Sequence, residues 1–284
     1  SIGILLLSGE GLDTVKMQIA AFGIGIVLFC FLVWFMSDLE RVMKLRLYIA
    51  IGAILLFVAN LVLGKDVNGS RNWIFIGPFS FQPSEFIKIA FVFVGASTLD
   101  HLQTKKNITE FIVFAAICLA FLFLMRDFGT ALIFFATFLV ISYLRSGSIA
   151  TVLLAVTGAG LAGFLAVSVK PYIAQRFATW GHAWEDIYDK GFQQTRAMSA
   201  AASGGLYGKG AGGGWLKDIF AANTDMVFAV ICEEQGLIIG LIMVLAVLVL
   251  AFFAVRSARR GRSAYYPIAA CAAMSMLLVQ LALN

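Results

Sequence analysis

Long apolar runs alternate with short polar connections along almost the whole chain. Eight runs are long enough to cross, or nearly cross, a bilayer: residues 17–36, 47–63, 86–99, 108–125, 130–144, 148–169, 226–255 and 264–284. A ninth, at residues 2–7, has the composition of the end of another. A membrane-spanning helix needs roughly 20 predominantly apolar residues. The pattern therefore predicts an all-α polytopic membrane helical bundle with about eight to nine transmembrane helices, in one integral membrane domain over residues 1–284.

The composition supports this assignment. The chain is 61% hydrophobic and only 13% charged, whereas soluble domains carry about 25% charged residues. The runs have helix length and do not alternate, which disfavours an outer-membrane barrel. The four cysteines are far apart in or beside apolar runs and indicate neither a disulfide framework nor a zinc site.

Basic residues are divided unequally between alternate short connections. Ten lie on one side: Arg41, Lys44, Arg46, Lys105, Lys106, Arg145, Arg256, Arg259, Arg260 and Arg262. Four lie on the other: Lys16, Lys65, Arg71 and Arg126. Cytoplasmic loops are enriched in Lys and Arg, so the first set is predicted to face the cytoplasm. The net charge of +5 then reports topology, and no nucleic-acid partner is expected.

The connection at residues 170–225 falls on the outer side and is much longer than a simple link. Such loops are usually functional or disordered, and its tryptophans place it at the membrane surface. Within it, residues 204–214 contain seven glycines. This tract predicts a close-packed turn structure, or alternatively a backbone cradle for a phosphate. No strand precedes it, so its GxGxxG spacing does not indicate nucleotide binding.

Polar groups are concentrated between Arg71 and Lys88, directly against an apolar run. Glu85 and Lys88 are three residues apart and can pair on one helix face. Alternatively, Arg71, Gln82 and Lys88 face a cavity that binds an anion at the outer surface. Asp127, at the same outer boundary, is placed to cap the helix that follows it.

A second acidic group follows the long loop. Asp225 lies where the loop enters the next apolar run, where a carboxylate would either cap a helix or act as general base toward a sugar hydroxyl. Glu233 and Glu234 lie about 12 Å further along a helix. At that depth at least one of them is expected to meet a buried cation or amide.

Four stretches occur in a fixed order over most of the chain: 71–88 with Gln82-Pro83-Ser84-Glu85, 127–130, 203–210, and 223–234 with Thr224-Asp225. Together they resemble the shape, elongation, division and sporulation (SEDS) family, the RodA and FtsW type of bacterial cell-wall polymerase. The resemblance implies ten membrane helices, of which this chain would supply the end of the first and the next eight. The family's last helix would lie beyond residue 284.

The resemblance also implies an activity and partners. The expected protein is a peptidoglycan glycosyltransferase that polymerises lipid II on the outer face of the bacterial cytoplasmic membrane, with a class B penicillin-binding protein. Its ligands would be lipid II and undecaprenyl-diphosphate-linked glycan, held in contact with the lipid bilayer. Asp225 is expected to be the catalytic base. A divalent cation, Mg²⁺ or Mn²⁺, could be shared between Asp225 and diphosphate oxygens, although no carboxylate cluster defines a metal site.

The expected substrate-binding residues come from the same four stretches and from the loop before the glycine tract. They are Arg71, Trp73, Gln82, Ser84, Glu85, Lys88, Asp127, Gln193, Arg196, Lys209 and Thr224. Arg126 and Arg176 are further candidates for holding a diphosphate, and Glu233 and Glu234 are assigned structural roles. Positive charge is needed there because the leaving diphosphate carries negative charge.

Two other functions fit the same composition. A transporter that flips a lipid-linked precursor would favour charged residues through the middle of the bundle, whereas here most polar motifs lie at the outer rim. A non-catalytic scaffold of the elongation or division machinery would leave Asp225 with a capping role alone.

Overall fold

Helices predominate in the chain. A computed structural model describes residues 12–67, 70–76, 79–97, 105–169, 183–188, 191–219, 222–258 and 263–283. The helices are α1 (Leu12–Met36), α2 (Leu39–Leu63), α3 (Pro83–Ser97), α4 (Lys105–Leu124), α5 (Phe128–Ser146), α6 (Ile149–Val169), α7 (Phe192–Ser203), α8 (Ala222–Asp225), α9 (Val227–Gln235), α10 (Leu237–Ala258) and α11 (Tyr265–Leu283). A short 3₁₀ helix occupies Leu216–Asp218.

Five of the described helices are long and apolar enough to cross a membrane. Their apolar segments are Ile19–Met36, Leu39–Leu63, Phe128–Ser146, Leu237–Ser257 and Tyr265–Leu283. Helices α4 and α6 carry shorter ones, Thr109–Leu124 and Ile149–Leu161. The predicted multi-pass helical architecture is confirmed at this level. Pro83 opens α3, as its missing amide donor allows in a first helical turn.

A small sheet, which the sequence pattern did not predict, accompanies the helices. Strands β1 (Lys65–Val67), β2 (Ser70–Ile76) and β3 (Phe79–Phe81) form an antiparallel sheet in the order β1-β2-β3. Ile74 pairs with Phe81 and Ile76 with Phe79. These strands are three to seven residues long, and runs of this length carry no helical period that would distinguish them from connections between membrane helices.

The apolar run at residues 226–255 is also not one helix. Gly236, with φ of 89°, separates α9 from α10. A side chain there would be strained by the backbone angle, and its Cβ would lie 2.6 Å from the amide nitrogen of Gly208. The glycine thus breaks the helix and admits a neighbouring turn.

The chain divides into two compact units. The bundle unit comprises Trp34–Ala155 and Val249–Leu283, and the loop unit comprises Val156–Leu248 with the chain up to Val33. The bundle unit has an aromatic core in which Phe91 packs 4.8 Å from Phe134, centroid to centroid. Phe57, also fully buried, stacks on Phe121 from α4. This core fixes α2, α3, α4 and α5 around the polar groups at their ends.

Candidate functional site

Asp127 joins three separate segments of the bundle unit. Its Oδ1 accepts a hydrogen bond of 3.1 Å from the Thr130 amide, which confirms the predicted cap of α5. Its Oδ2 accepts from Asn72 Nδ2 at 2.9 Å and from Gln82 Nε2 at 3.3 Å. Both oxygens of this buried carboxylate are thus occupied by protein donors. Asp127 and Gln82 hold the sheet against the start of α5.

The residue before Asp127 contributes to the same junction through its backbone. Arg126 has φ of 59°, in the left-handed region that non-glycine residues seldom adopt. Its carbonyl accepts from the Ser70 hydroxyl at 3.0 Å, and the carbonyl of Met125 accepts from the Arg71 amide at 3.0 Å. The turn between α4 and α5 is therefore attached to β2 by its own carbonyls.

Lys88 is a buried cation on α3. Its Nζ donates to Glu85 Oε1 at 2.7 Å, so the predicted pair is confirmed, and to Gln280 Oε1 on α11 at 3.0 Å. The Glu85 side chain is about half exposed, so the ion pair is accessible from the Glu85 side although Lys88 is buried. Next to it, the Ser84 hydroxyl is buried and has no hydrogen-bond partner among the described residues. Ser84, Glu85 and Lys88 thus form a polar group at the start of a helix whose remaining residues are mostly apolar. Such groups at membrane depth generally mark a binding site or a pathway.

Arg71 and Trp73 lie on β2. The Arg71 guanidinium is about half exposed, donates to the Leu61 carbonyl at 3.3 Å, and lies 3.9 Å from Asp66. Trp73 is half-buried, and its Cα is paired with that of Lys65 on β1. Arg71 thus lies near the start of the central strand, with much of its donor capacity still accessible.

Glu233 is the most heavily engaged acid of the loop unit. The side chain is fully buried. Its Oε1 accepts from Lys209 Nζ at 2.8 Å and from the Trp215 amide at 3.2 Å, and its Oε2 accepts from the Leu216 amide at 3.0 Å. Burial acts to raise the pKa of Glu233, but these donors outweigh it and hold the pKa below its ordinary value. The expectation that one of the paired acids meets a buried cation or amide is confirmed.

The glycine tract is packed against α9 by its backbone. The amides of Lys209 and Gly210 donate to the carbonyls of Glu233 and Glu234, at 3.0 and 2.9 Å. Gly208 has φ of 82°, and a Cβ there would lie 2.5 Å from the carbonyl carbon of Glu234. These contacts agree with the close-packed turn structure. They also occupy amides that a phosphate cradle would need.

Asp225 is an exposed acid of the loop unit, unlike the buried Glu233 and Glu234. It is the last residue of the one-turn helix α8. The N-cap of α9 is Met226, which makes no side-chain capping bond. Among the described residues, no hydrogen bond or ion pair to the Asp225 carboxylate is present, so the capping alternative has no support in the geometry.

The remaining predicted residues of the loop unit have fewer described contacts than Glu233. Gln193 is exposed on α7, and the guanidinium of Arg196 lies over the Phe192 ring at 5.2 Å. Thr224 lies in α8, but its side chain, like the whole of Arg176, falls outside the described residues. Glu234 is buried, with Oε2 unpartnered within the described part of the chain. No group of three His, Cys, Asp or Glu side chains suited to a metal ion occurs in that part.

Two contact residues are not among those that the sequence motifs predict. Asn72 and Gln280 supply the amide groups that meet Asp127 and Lys88. A polar amide inside an apolar run is a signal in itself, because such a group needs a partner within the membrane. Gln280 carries that signal. Asn72 does not, since it lies in a short polar connection where amides are common.

Comparison with known proteins places this geometry in context. The cell cycle protein family that includes FtsW, RodA and SpoVE matches residues 4–284. Stage V sporulation protein E of Bacillus subtilis (strain 168) is 32% identical over 284 residues, covering 95% of this chain and 75% of that protein. A probable peptidoglycan glycosyltransferase FtsW of Allochromatium vinosum is 33% identical over 231 residues, covering 78% of this chain. The chain spans 57% of that FtsW.

Solved structures support the same fold. A chain of a peptidoglycan synthase complex superposes with a TM-score of 0.74 at 24% identity, covering 95% of this chain and 78% of that one. The rod shape determining protein RodA of Thermus thermophilus superposes with a TM-score of 0.67 at 20% identity, covering 99% and 78%. With the match over residues 4–284, these findings show that the chain belongs to the FtsW, RodA and SpoVE family of cell cycle proteins.

Proposed function

We propose that this protein is a peptidoglycan glycosyltransferase that polymerises lipid II into glycan strands, with Asp225 as general base. The observation that carries the proposal is the state of Asp225: an exposed carboxylate with no capping or pairing role among the described residues, in the same compact unit as the braced glycine tract. Relatives that are about one third identical bear the name probable peptidoglycan glycosyltransferase. Family membership and an available base together favour this chemistry over a scaffold role.

The reaction joins two lipid-linked sugars. Asp225 would take the proton from the acceptor 4-hydroxyl as its oxygen attacks the anomeric carbon of the donor. The new bond joins that oxygen to the carbon, and the bond from the carbon to the donor diphosphate breaks. The diphosphate leaves with the electron pair and needs positive charge to stabilise it. Asp225 is suited to the first step because its carboxylate is not already accepting protein donors.

The cations proposed for the diphosphates belong to the bundle unit. Arg71 has accessible donors, and Lys88 is held in place by Glu85 and Gln280. Lys209 is committed to Glu233, so we assign it to the brace of the glycine tract. A single carboxylate does not make a divalent-cation site, and Mg²⁺ or Mn²⁺ would be bound by Asp225 only together with substrate oxygens.

We further propose that eight to nine helices of this chain cross the bacterial cytoplasmic membrane, with residues 170–225 on its outer face. The division of basic residues supports that orientation. On the outer side, Ser70 contacts the Arg126 carbonyl, and on the predicted cytoplasmic side Arg46 pairs with Glu110 at 2.9 Å. Both contacts join groups that the topology assigns to the same side. A class B penicillin-binding protein is the proposed partner.

The test is glycan-chain formation from purified lipid II by the full-length protein with its penicillin-binding partner. Asp225→Asn is compared with Asp218→Asn, which makes the same chemical change at another exposed acid of the loop unit. Polymer from wild type and Asp218→Asn, with none from Asp225→Asn, supports the proposal. Polymer from both variants removes Asp225 from catalysis. If wild type makes no polymer but moves lipid II across vesicle membranes, the protein is a transporter.

A further inference from the structure

The turn between α7 and the glycine tract exposes two large apolar side chains. Leu206 and Tyr207 are 57% and 83% exposed. Gly205 and Gly208, with φ of 57° and 82°, bracket them. The Gly208 amide donates to the Gly204 carbonyl at 2.8 Å, which closes the turn. The two side chains are therefore held outward by a defined backbone conformation.

This turn lies against the beginning of a membrane-spanning helix. The Leu237 amide donates to the Gly205 carbonyl at 3.0 Å, and the Ile238 amide donates to the Leu206 carbonyl at 3.4 Å. The apolar segment of α10 starts at Leu237. Leu206 thus lies beside the first turn of the apolar segment of α10.

We propose that Leu206 and Tyr207 insert into the bilayer leaflet that α10 enters, and anchor the loop unit to it. Single exposed apolar residues are ordinary on a protein surface. Here, however, the exposed pair continues the apolar surface of Leu237 and Ile238, which are themselves exposed. Tyrosine is enriched at membrane interfaces because its ring is apolar and its hydroxyl polar. The partner that fits this surface is therefore phospholipid, at the boundary between headgroups and acyl chains.

The anchor does not involve the catalytic step. It gives a reason for a glycine on each side of Leu206 and Tyr207. The positive φ values turn the chain sharply on each side of the pair, and the backbone bonds to α10 fix its depth. The glycine tract that follows is held by Glu233. The loop unit would thus be attached to the membrane by Leu206 and Tyr207, while Glu233 holds the rest of the glycine tract in place.

The experiment places a photoreactive benzophenone amino acid at position 207 of the full-length protein in phospholipid vesicles that contain a fluorescent phosphatidylethanolamine. Position 245, exposed on the span of α10, serves as the positive control, and position 218, an exposed acid in the 3₁₀ turn, as the negative control. After irradiation, lipid adducts at 207 are expected to match those at 245 and to exceed those at 218 by about tenfold. Lipid labelling at 207 no greater than at 218, or adducts at 207 with protein alone, would overturn the proposal.

Discussion

Replacing Glu233 by glutamine is expected to loosen the glycine tract. In the folded protein Oε1 accepts from Lys209 and Trp215, and Oε2 accepts from Leu216. Glutamine keeps one acceptor oxygen and places an amide NH₂ where the second oxygen was. The new NH₂ group then faces the Leu216 amide, so two donors meet in a buried place and the Leu216 amide loses its acceptor.

The size of the effect follows from the bonds that change. A hydrogen bond to a charged group contributes about 1.5–3 kcal/mol, and a buried donor left without a partner costs about 1–3 kcal/mol. One such bond is lost and the others are weakened by loss of the charge, so Glu233→Gln should lower the free energy of unfolding by about 2–4 kcal/mol. Leu216 belongs to an apolar cluster with Ala222, the first residue of α8, and Met226, which directly follows Asp225. The same variant should therefore reduce polymerisation.

The assay is thermal unfolding of the purified full-length protein in detergent micelles. Glu40→Gln is the matched control, since Glu40 is 86% exposed and lies 3.8 Å from Lys44 on the surface. The midpoint should fall by several degrees for Glu233→Gln and stay at the wild-type value for Glu40→Gln. Equal midpoints for wild type and both variants would refute the assignment of Glu233 as a brace.

Acid should weaken the same brace. Because the folded-state pKa of Glu233 lies below the ordinary value of about 4.5, its contribution to stability is fully present above that pH and is lost as the pH falls through the folded-state pKa. Wild-type unfolding midpoints should therefore drop more steeply in acid than those of Glu233→Gln, and parallel curves would contradict this. Gly208→Ala should unfold at a lower temperature than Gly212→Ala, since both have positive φ but only the first Cβ would meet backbone; equal midpoints would show that the close packing is immaterial. Asp127→Ala should lower the free energy of unfolding by about 2 kcal/mol in the thermal assay, because it removes a helix cap and two amide contacts, and an unchanged midpoint would argue against the junction.

Local features of the site could be predicted from the sequence because spacing along a helix decides them. The cap by Asp127 and the pair of Glu85 with Lys88 both join residues three positions apart. The family resemblance rested on the order of four stretches, and residues 4–284 indeed match the family. The predicted helical class agrees with a mostly helical chain, and the small sheet could not be predicted because its strands are too short to show a period.

Contacts between distant segments could not be predicted in the same way. Gln280 meets Lys88 across 192 positions, and only the packing of α11 beside α3 brings them together. The break at Gly236 was hidden because the residues on both sides are apolar, and the turn that requires it comes from residues 206–208. In each case the partner group lies in another element, so the single-sequence pattern contains no information about its position.

The junction at Asp127 can form only after a long stretch of the chain has been synthesised. Asn72 leaves the ribosome 55 residues before its acceptor, which at about 5–20 residues per second is an interval of about 3–11 seconds. During that interval the sheet lacks the carboxylate that later fixes it. Because α3 and α4 lie between them in the sequence, the proposed topology lets Asn72 and Asp127 meet only after both helices have been inserted and the chain has returned to the side of the membrane that holds the sheet. If α3 crossed the membrane and α4 did not, Asp127 would lie across the membrane from Asn72, so this junction can form only when the two helices are inserted as a pair.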